Sequence, residues 1–176
     1  MQKTSGFTLM ELAITVAIIA IMSIIAIPNL ISWFPQYRLN VAAREVVSTL
    51  QMARLKAIKG NTDIIVVINP ANDTVTVFQD DGTGGADTSG DGVPEEALNW
   101  APDPGESVFN TEPLPPGINI TADFNASTAV RFNRRGFPMD IAGNLITGTV
   151  DLDNGRGGPH SQIEVQLDIS GNARIN

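Results

Sequence analysis

The sequence predicts an α+β fold: a long N-terminal helix, suited to a membrane in its first half and amphipathic in its second, packed on an antiparallel β-sheet or a two-sheet β domain. Three observations predict it. An apolar run opens the chain. A stripe of apolar residues at steps of four and three follows. Beyond Gly60, short β-rich runs alternate with turns rich in Gly, Pro and Asp. The 176 residues suffice for one compact domain plus an appendage. They divide into a leader (1–6), a transmembrane and assembly helix (7–34), an amphipathic helix of the globular domain (35–60) and a β-rich domain (61–176).

Hydrophobic residues at 43% and charged ones at 17% describe a globular chain, not a disordered one. The net charge of −8 is spread unevenly, because nearly all the acid follows Phe34. An acidic domain disfavours nonspecific binding to nucleic acid or to an anionic membrane, and is compatible with cations. The absence of cysteine excludes disulfides, Cys-ligated zinc and thiol catalysis.

The first element, MQKTSGFTLMELAITVAIIAIMSIIAIPNLISWF, has a polar leader whose only charge is Lys3. From Phe7 to Phe34 the only charge is Glu11, and Leu12–Ile27 is interrupted only by Thr15 and Ser23. That length exceeds the roughly 20 residues needed to cross a bilayer core. Lys3 predicts a cytoplasmic N-terminus, which puts the rest of the chain on the far side. A secretory signal peptide would have its small-residue cleavage site after the apolar core, whereas Gly6 precedes it and IPNLISWFPQY offers no such site. A plain signal anchor leaves Glu11 unexplained, since a lone carboxylate near hydrocarbon costs roughly 2.5–3.5 kcal/mol.

The segment GFTLMELAITVAIIAIMSIIAIP resembles the class III signal of type IV prepilins and pseudopilins: Gly6, Phe7, Thr8, Leu9, Glu11 and Pro28 stand in its places. The resemblance implies that a prepilin peptidase removes the leader by cutting between Gly6 and Phe7, and that Phe7 is then N-methylated. It also implies roles for Glu11 and Pro28 in assembly. The Glu11 carboxylate would pair with the Phe7 amine of a neighbouring subunit, an arrangement better at fixing register than at adding stability. Ala13, Ala17, Ala20, Ser23 and Ala26 offer close-approach positions for helix packing, or are ordinary membrane-helix composition. Pro28 removes a backbone donor and is expected to kink or locally melt the helix, with a further break at Pro35.

In the second half, Leu39, Ala43, Val46, Leu50, Ala53 and Ala57 form the stripe expected to pack on a sheet. Lys56 and Lys59 suit its last turn, and Gly60 its C-cap. Strands are expected over Asp63–Ile68, Thr74–Phe78, Glu106–Phe109, Ile118–Thr121, Ala129–Asn133, Thr147–Leu152, Gln162–Ile169 and Ala173–Ile175. Ile163, Val165, Leu167 and Ile169 share one face, and Ser170–Asn172 returns the chain in a hairpin. The order of elements also resembles the minor pilin and pseudopilin group containing the GspH and FimT/FimU proteins. Phe132 and Gly136 match an F-x-x-x-G strand turn. Gly171 and Arg174 match part of a closing Gly-Arg-x-Arg element, which lacks its first Arg because Asn172 stands there. That basic end is linked to DNA uptake in the FimT-like proteins, and its erosion in an acidic domain speaks against nucleic acid as a partner.

The loop DDGTGGADTSGDGVPEEALNW has two readings. Asp87, Ser89, Asp91, Val93 (through its carbonyl) and Glu95 follow the opening of an EF-hand-like calcium loop, with Gly92 at the sharp turn. The twelfth position, normally a bidentate Glu, is Leu98. Either the loop holds a structural calcium, or it is a solvated turn-rich surface. The single histidine, His160, is expected in an exposed turn, and Arg131, Arg134 and Arg135 are expected to pair with nearby acids such as Asp140. No catalytic triad, phosphate loop or dinucleotide motif is present, so no catalytic residues are assigned and the chain is not read as an enzyme.

The function implied is that of a structural minor pilin or pseudopilin of a type IV pilus or type II secretion pseudopilus. It would be a single-pass protein of the bacterial inner membrane with a periplasmic domain, later carried into a filament. Its expected partners are other pilin or pseudopilin subunits, the prepilin peptidase and methyltransferase, an inner-membrane assembly platform and the lipid bilayer. The alternatives are a calcium-dependent binding or adhesion module displayed on such a filament, or a minor pilin for DNA uptake.

Overall fold

The computed structural model describes residues 6–80, 102, 107–140, 142–158 and 160–176. One helix, α1, runs Leu9–Gly60, and nine strands follow: β1 Asp63–Asn69, β2 Thr74–Asp80, β3 Val108–Pro113, β4 Asn119–Asp123, β5 Ala129–Phe132, β6 Pro138–Met139, β7 Gly148–Asp153, β8 Gln162–Leu167 and β9 Ala173–Ile175.

The prolines do not divide the helix. Positions 28 and 35 lie within the single element α1, so the stretches 7–34 and 35–60 are joined as one rod rather than broken at either residue. Each proline still removes one backbone donor. That loss is confined to one hydrogen bond, while the turns on either side keep theirs and the second half is fixed by packing. At the far end the left-handed residue is Asn61 (φ 49°), one position beyond the expected Gly60. Its N–H donates to the Ala57 carbonyl, and asparagine tolerates this conformation better than most side chains.

All six stripe residues, Leu39 to Ala57, are buried, and Ala42 joins them. Four alanines among these seven allow the sheets to approach the helix axis closely. The strands form two antiparallel sheets in the orders β3-β2-β1-β5-β6 and β4-β7-β8-β9. Both contribute to the core around α1: Ile64, Val66, Val77, Val130 and Phe132 from the first, Ile120, Val150, Leu152, Val165 and Leu167 from the second. Each such side chain contributes about 1.5–3 kcal/mol by leaving water.

The eight expected strands all form, with three differences. β3 starts later than Glu106–Phe109 and runs to Pro113. β8 stops at Leu167, which leaves Ile169 in the following turn and 53% exposed instead of on the buried face. β6 was not expected, because a two-residue strand beginning at proline has no alternation to read.

Candidate assembly site

Gly6, Phe7 and Thr8 precede the helix. Thr8 is its N-cap (φ −82°, ψ 150°), and its hydroxyl oxygen accepts from the Glu11 N–H at 3.2 Å. The Leu12 N–H donates to the Thr8 carbonyl at 3.1 Å. Thr8 and Glu11 thus occupy the two positions of a Ser/Thr-x-x-Glu capping box, a spacing that would have marked the helix start in the sequence. The carboxylate sits in the first turn, where the exposed backbone N–H groups favour negative charge. Among the described residues it has no ion-pair partner in its own chain.

The Gly6–Phe7 peptide bond lies outside the helix. Phe7 is 83% exposed, and a Cβ built on Gly6 would meet nothing within 4 Å. A bond so placed is open to a peptidase, and cutting it leaves an α-amine two residues before the first helical residue.

Leu9–Ile27 is an apolar stretch of 19 residues with mean hydropathy 2.5, none of it buried. At about 1.5 Å per residue it spans about 28 Å, close to the thickness of the hydrocarbon core. Its polar side chains are satisfied internally: Thr15 Oγ1 donates to the Leu12 carbonyl at 2.8 Å, and Ser23 Oγ to the Ile19 carbonyl at 2.7 Å. This leaves Glu11 as the one group on this stretch whose charge needs an external partner. Ala13, Ala17, Ala20 and Ala26 are all exposed, open for close approach of another helix.

The motif residues of the β domain meet at the end of α1. Phe132 is fully buried. Gly136 (φ 80°) and Gly171 (φ 81°) are both left-handed, and each backs onto Arg54. A Cβ on Gly171 would collide with the Gly136 carbonyl oxygen, and one on Gly136 would come within 2.6 Å of Ile58 Cδ1. Arg54 Nη1 donates to Asn172 Oδ1 at 2.6 Å. Arg174 Nη2 donates to Gln166 Oε1 at 3.1 Å. The two glycines therefore clasp the last turns of the helix to both sheets.

Other expected sites divide. Arg131 and Arg134 pair with Asp63, at 3.7 and 3.9 Å, and not with Asp140. Asp140 instead accepts from the Asn144 backbone and side chain, and these bonds hold its carboxyl below the usual range. His160 lies in an exposed turn. The calcium-loop residues Asp87, Ser89, Asp91, Val93 and Glu95 lie outside the described residues. One contact has no signal in the sequence: Glu45 on α1 faces Glu112 on β3. Burial first, then the hydrogen bond and the repulsion between the two carboxyls, push Glu45 up to about 7.

The family model described as "Type II transport protein GspH" matches residues 42–172. That for the prokaryotic N-terminal methylation motif matches residues 1–27. No curated protein matches the chain. Among solved structures, the minor pseudopilin EpsH from the type 2 secretion system of Vibrio cholerae is 15% identical, with a TM-score of 0.55 over 79% of this chain and 96% of that one. The type IV minor pilin FimU of Pseudomonas aeruginosa is 12% identical, with a TM-score of 0.53 over 78% and 92% of the two chains. At such identities these likenesses establish the shared fold.

Proposed function

The chain belongs to the GspH family of type II transport proteins, and from that premise we propose that the filament it joins is a secretion pseudopilus rather than a type IV pilus. It is a structural subunit of the minor pseudopilin and pilin kind, anchored in a membrane by its apolar N-terminal helix. The observation that carries this reading is the continuity of α1. An exposed apolar half passes without a break into a half that is the centre of the domain's core. Force or position imposed on the first half is transmitted directly to the second.

In the proposed sequence of events, a prepilin peptidase cuts between Gly6 and Phe7, and the new Phe7 amine is methylated. The leader carrying Lys3 faces the cytoplasm and the β domain the opposite side. An inner-membrane platform then draws the helix into a bundle with other subunits, where the Glu11 carboxylate pairs with the Phe7 amine of a neighbour. The pair removes an isolated charge from hydrocarbon and sets the axial register at once.

The test is the intact mass of the protein taken from its native membrane. A mass beginning at N-methylated Phe7 is the expected result. A mass retaining Met1–Gly6 in cells with an active prepilin peptidase would reduce the chain to a simple anchor.

A further inference from the structure

Asparagine followed by glycine occurs once in the chain, at Asn154–Gly155. The pair opens the loop after β7, whose last residue is Asp153. Asparagine is a thermolabile residue. A glycine after it leaves the next backbone nitrogen unshielded, so that nitrogen can approach the side-chain carbonyl. Gly155 is exposed, with φ 69° and open space where a Cβ would be.

Two hydrogen bonds overlap at this pair. The Gly155 N–H donates to Asp153 Oδ1 at 2.8 Å, and the Arg156 N–H donates to Asn154 Oδ1 at 3.1 Å. Each alone is an ordinary turn in which a side-chain oxygen accepts from the backbone two residues on. Together they place a proton acceptor on a nitrogen and a donor on the carbonyl beside it. The backbone around them is held. The Asn154 N–H donates to the Ser161 carbonyl at 3.0 Å, and the Ser161 hydroxyl to the Gly158 carbonyl at 2.8 Å. Asp153 is fixed in register between Asn119 of β4 and Gln162 of β8.

Asparagines in similar turns lack this combination. Asn69 Oδ1 accepts from the Ala71 N–H, but the next residue is Pro70, which has no N–H to lose. Asn133 Oδ1 accepts from the Arg135 and Phe137 N–H groups, but Arg134 carries a side chain and Phe132 offers no carboxylate.

We propose that Asn154 is a self-modification site, which the folded loop converts with water to aspartate or isoaspartate through a succinimide. The Gly155 nitrogen forms a bond to Asn154 Cγ as its proton passes to Asp153 Oδ1. The negative charge that develops on Asn154 Oδ1 is held by the Arg156 N–H. The Cγ–Nδ2 bond then breaks, and Nδ2 leaves as ammonia with the proton returned from Asp153. Water opens the five-membered ring at either carbonyl, and nothing is oxidised or reduced. A positioned proton acceptor contributes typically about 10²–10⁴-fold to such a step, and an oxyanion donor about 10²–10³-fold. The product adds one negative charge beside Asp153, and isoaspartate lengthens the backbone by one methylene. Both changes fall in the cleft where the loop meets Ser32, Pro35 and Gln36 of α1, so the reaction alters the joint between helix and domain without a second protein.

The test incubates the full chain in mild detergent at neutral pH, and in urea as the unfolded control. Position 154 is followed by peptide mapping with mass spectrometry that resolves isoaspartate from aspartate. Asn154 is expected to be lost faster in the folded chain than in urea, with isoaspartate among the products, while Asn144, which precedes Leu145, is kept. Asp153→Asn keeps an oxygen that accepts the Gly155 N–H but no group to carry its proton. It is expected to slow the loss about a hundredfold in the folded chain and to leave the rate in urea unchanged. Slower loss in the folded chain than in urea would overturn the proposal, and needs no variant to show it. A folded-chain rate indifferent to Asp153→Asn would overturn it too, as would aspartate as the sole product, the mark of direct hydrolysis of the amide.

Discussion

Glu11 and Glu45 lie on the same helix and are both carboxylates, yet their surroundings give them different work. Among the described residues Glu11 has no ion-pair partner, and it stands at the start of a stretch with the composition of a membrane span. Glu11→Ala removes a cost of roughly 2.5–3.5 kcal/mol for the isolated subunit in a bilayer. The variant is therefore expected to insert and be processed normally, yet to be absent from filaments recovered by shearing. Normal incorporation would show that register is set elsewhere. Glu45 lies against Glu112, and its pKa rises from 4.5 to about 7. A raised carboxyl contributes stability that is full below the unfolded value, and that contribution is lost as pH rises from about 4.5 to about 7. After allowance for solvent screening at a half-exposed site, Glu45→Gln should stabilise the domain by about 1 kcal/mol at pH 8 and by almost nothing at pH 4, as read by urea titration at each pH. The Glu11 feature was legible in the sequence because its chemistry is local: one charge in an apolar run. The Glu45 feature was not, because it depends on the position of β3, which no residue near Glu45 encodes.

Elements follow the same division between local and distant causes. The stripe from Leu39 to Ala57 and the alternation of β8 are periodic, and periodicity can be read directly. The end of β8 cannot be. Ile169 continues the alternation but is exposed, because Asp168 ends the strand by accepting from the Ser170 and Asn172 backbone N–H groups. The partner of Arg131 and Arg134 depends likewise on β1 lying beside β5, which brings Asp63 to them. The clasp at the end of α1 combines both kinds of cause. Its glycines are visible as turn residues, but their contact with each other arises only when both sheets are folded. Gly171→Ala places a Cβ onto the Gly136 carbonyl oxygen, a backbone atom that cannot swing aside, at a left-handed position. The expected loss is roughly 3 kcal/mol, combining the conformational penalty with overpacking. Gly155→Ala carries only the conformational part, about 1 kcal/mol, since its surroundings are open. Equal losses in thermal melts of the two variants would mean that the clasp is not tightly packed.

At the scale of the molecule, no buried core residue precedes Leu39 among the described residues. None of the apolar stretch Leu9–Ile27 is buried against the domain, so it is expected to add nothing to the folding of the domain in isolation. That separation follows from where the sequence spends its hydrophobic residues, and it fits a subunit that must exchange one apolar environment for another without unfolding. A chain beginning at Asn29 loses every residue of the apolar stretch and none of the core. It is expected to be soluble without detergent and to melt within about 2–3 °C of the full chain in mild detergent, since a larger shift would correspond to about 1 kcal/mol or more for a domain of this size. The truncated chain keeps Arg38 and its bond to the Pro116 carbonyl, so the junction between helix and domain is preserved. A melting temperature lower by ten degrees or so would require the first half of α1 to stabilise the second by several kcal/mol through the helix alone. The helix would then couple the state of the membrane half to the stability of the domain, and withdrawal into a filament would change the domain as well as move it.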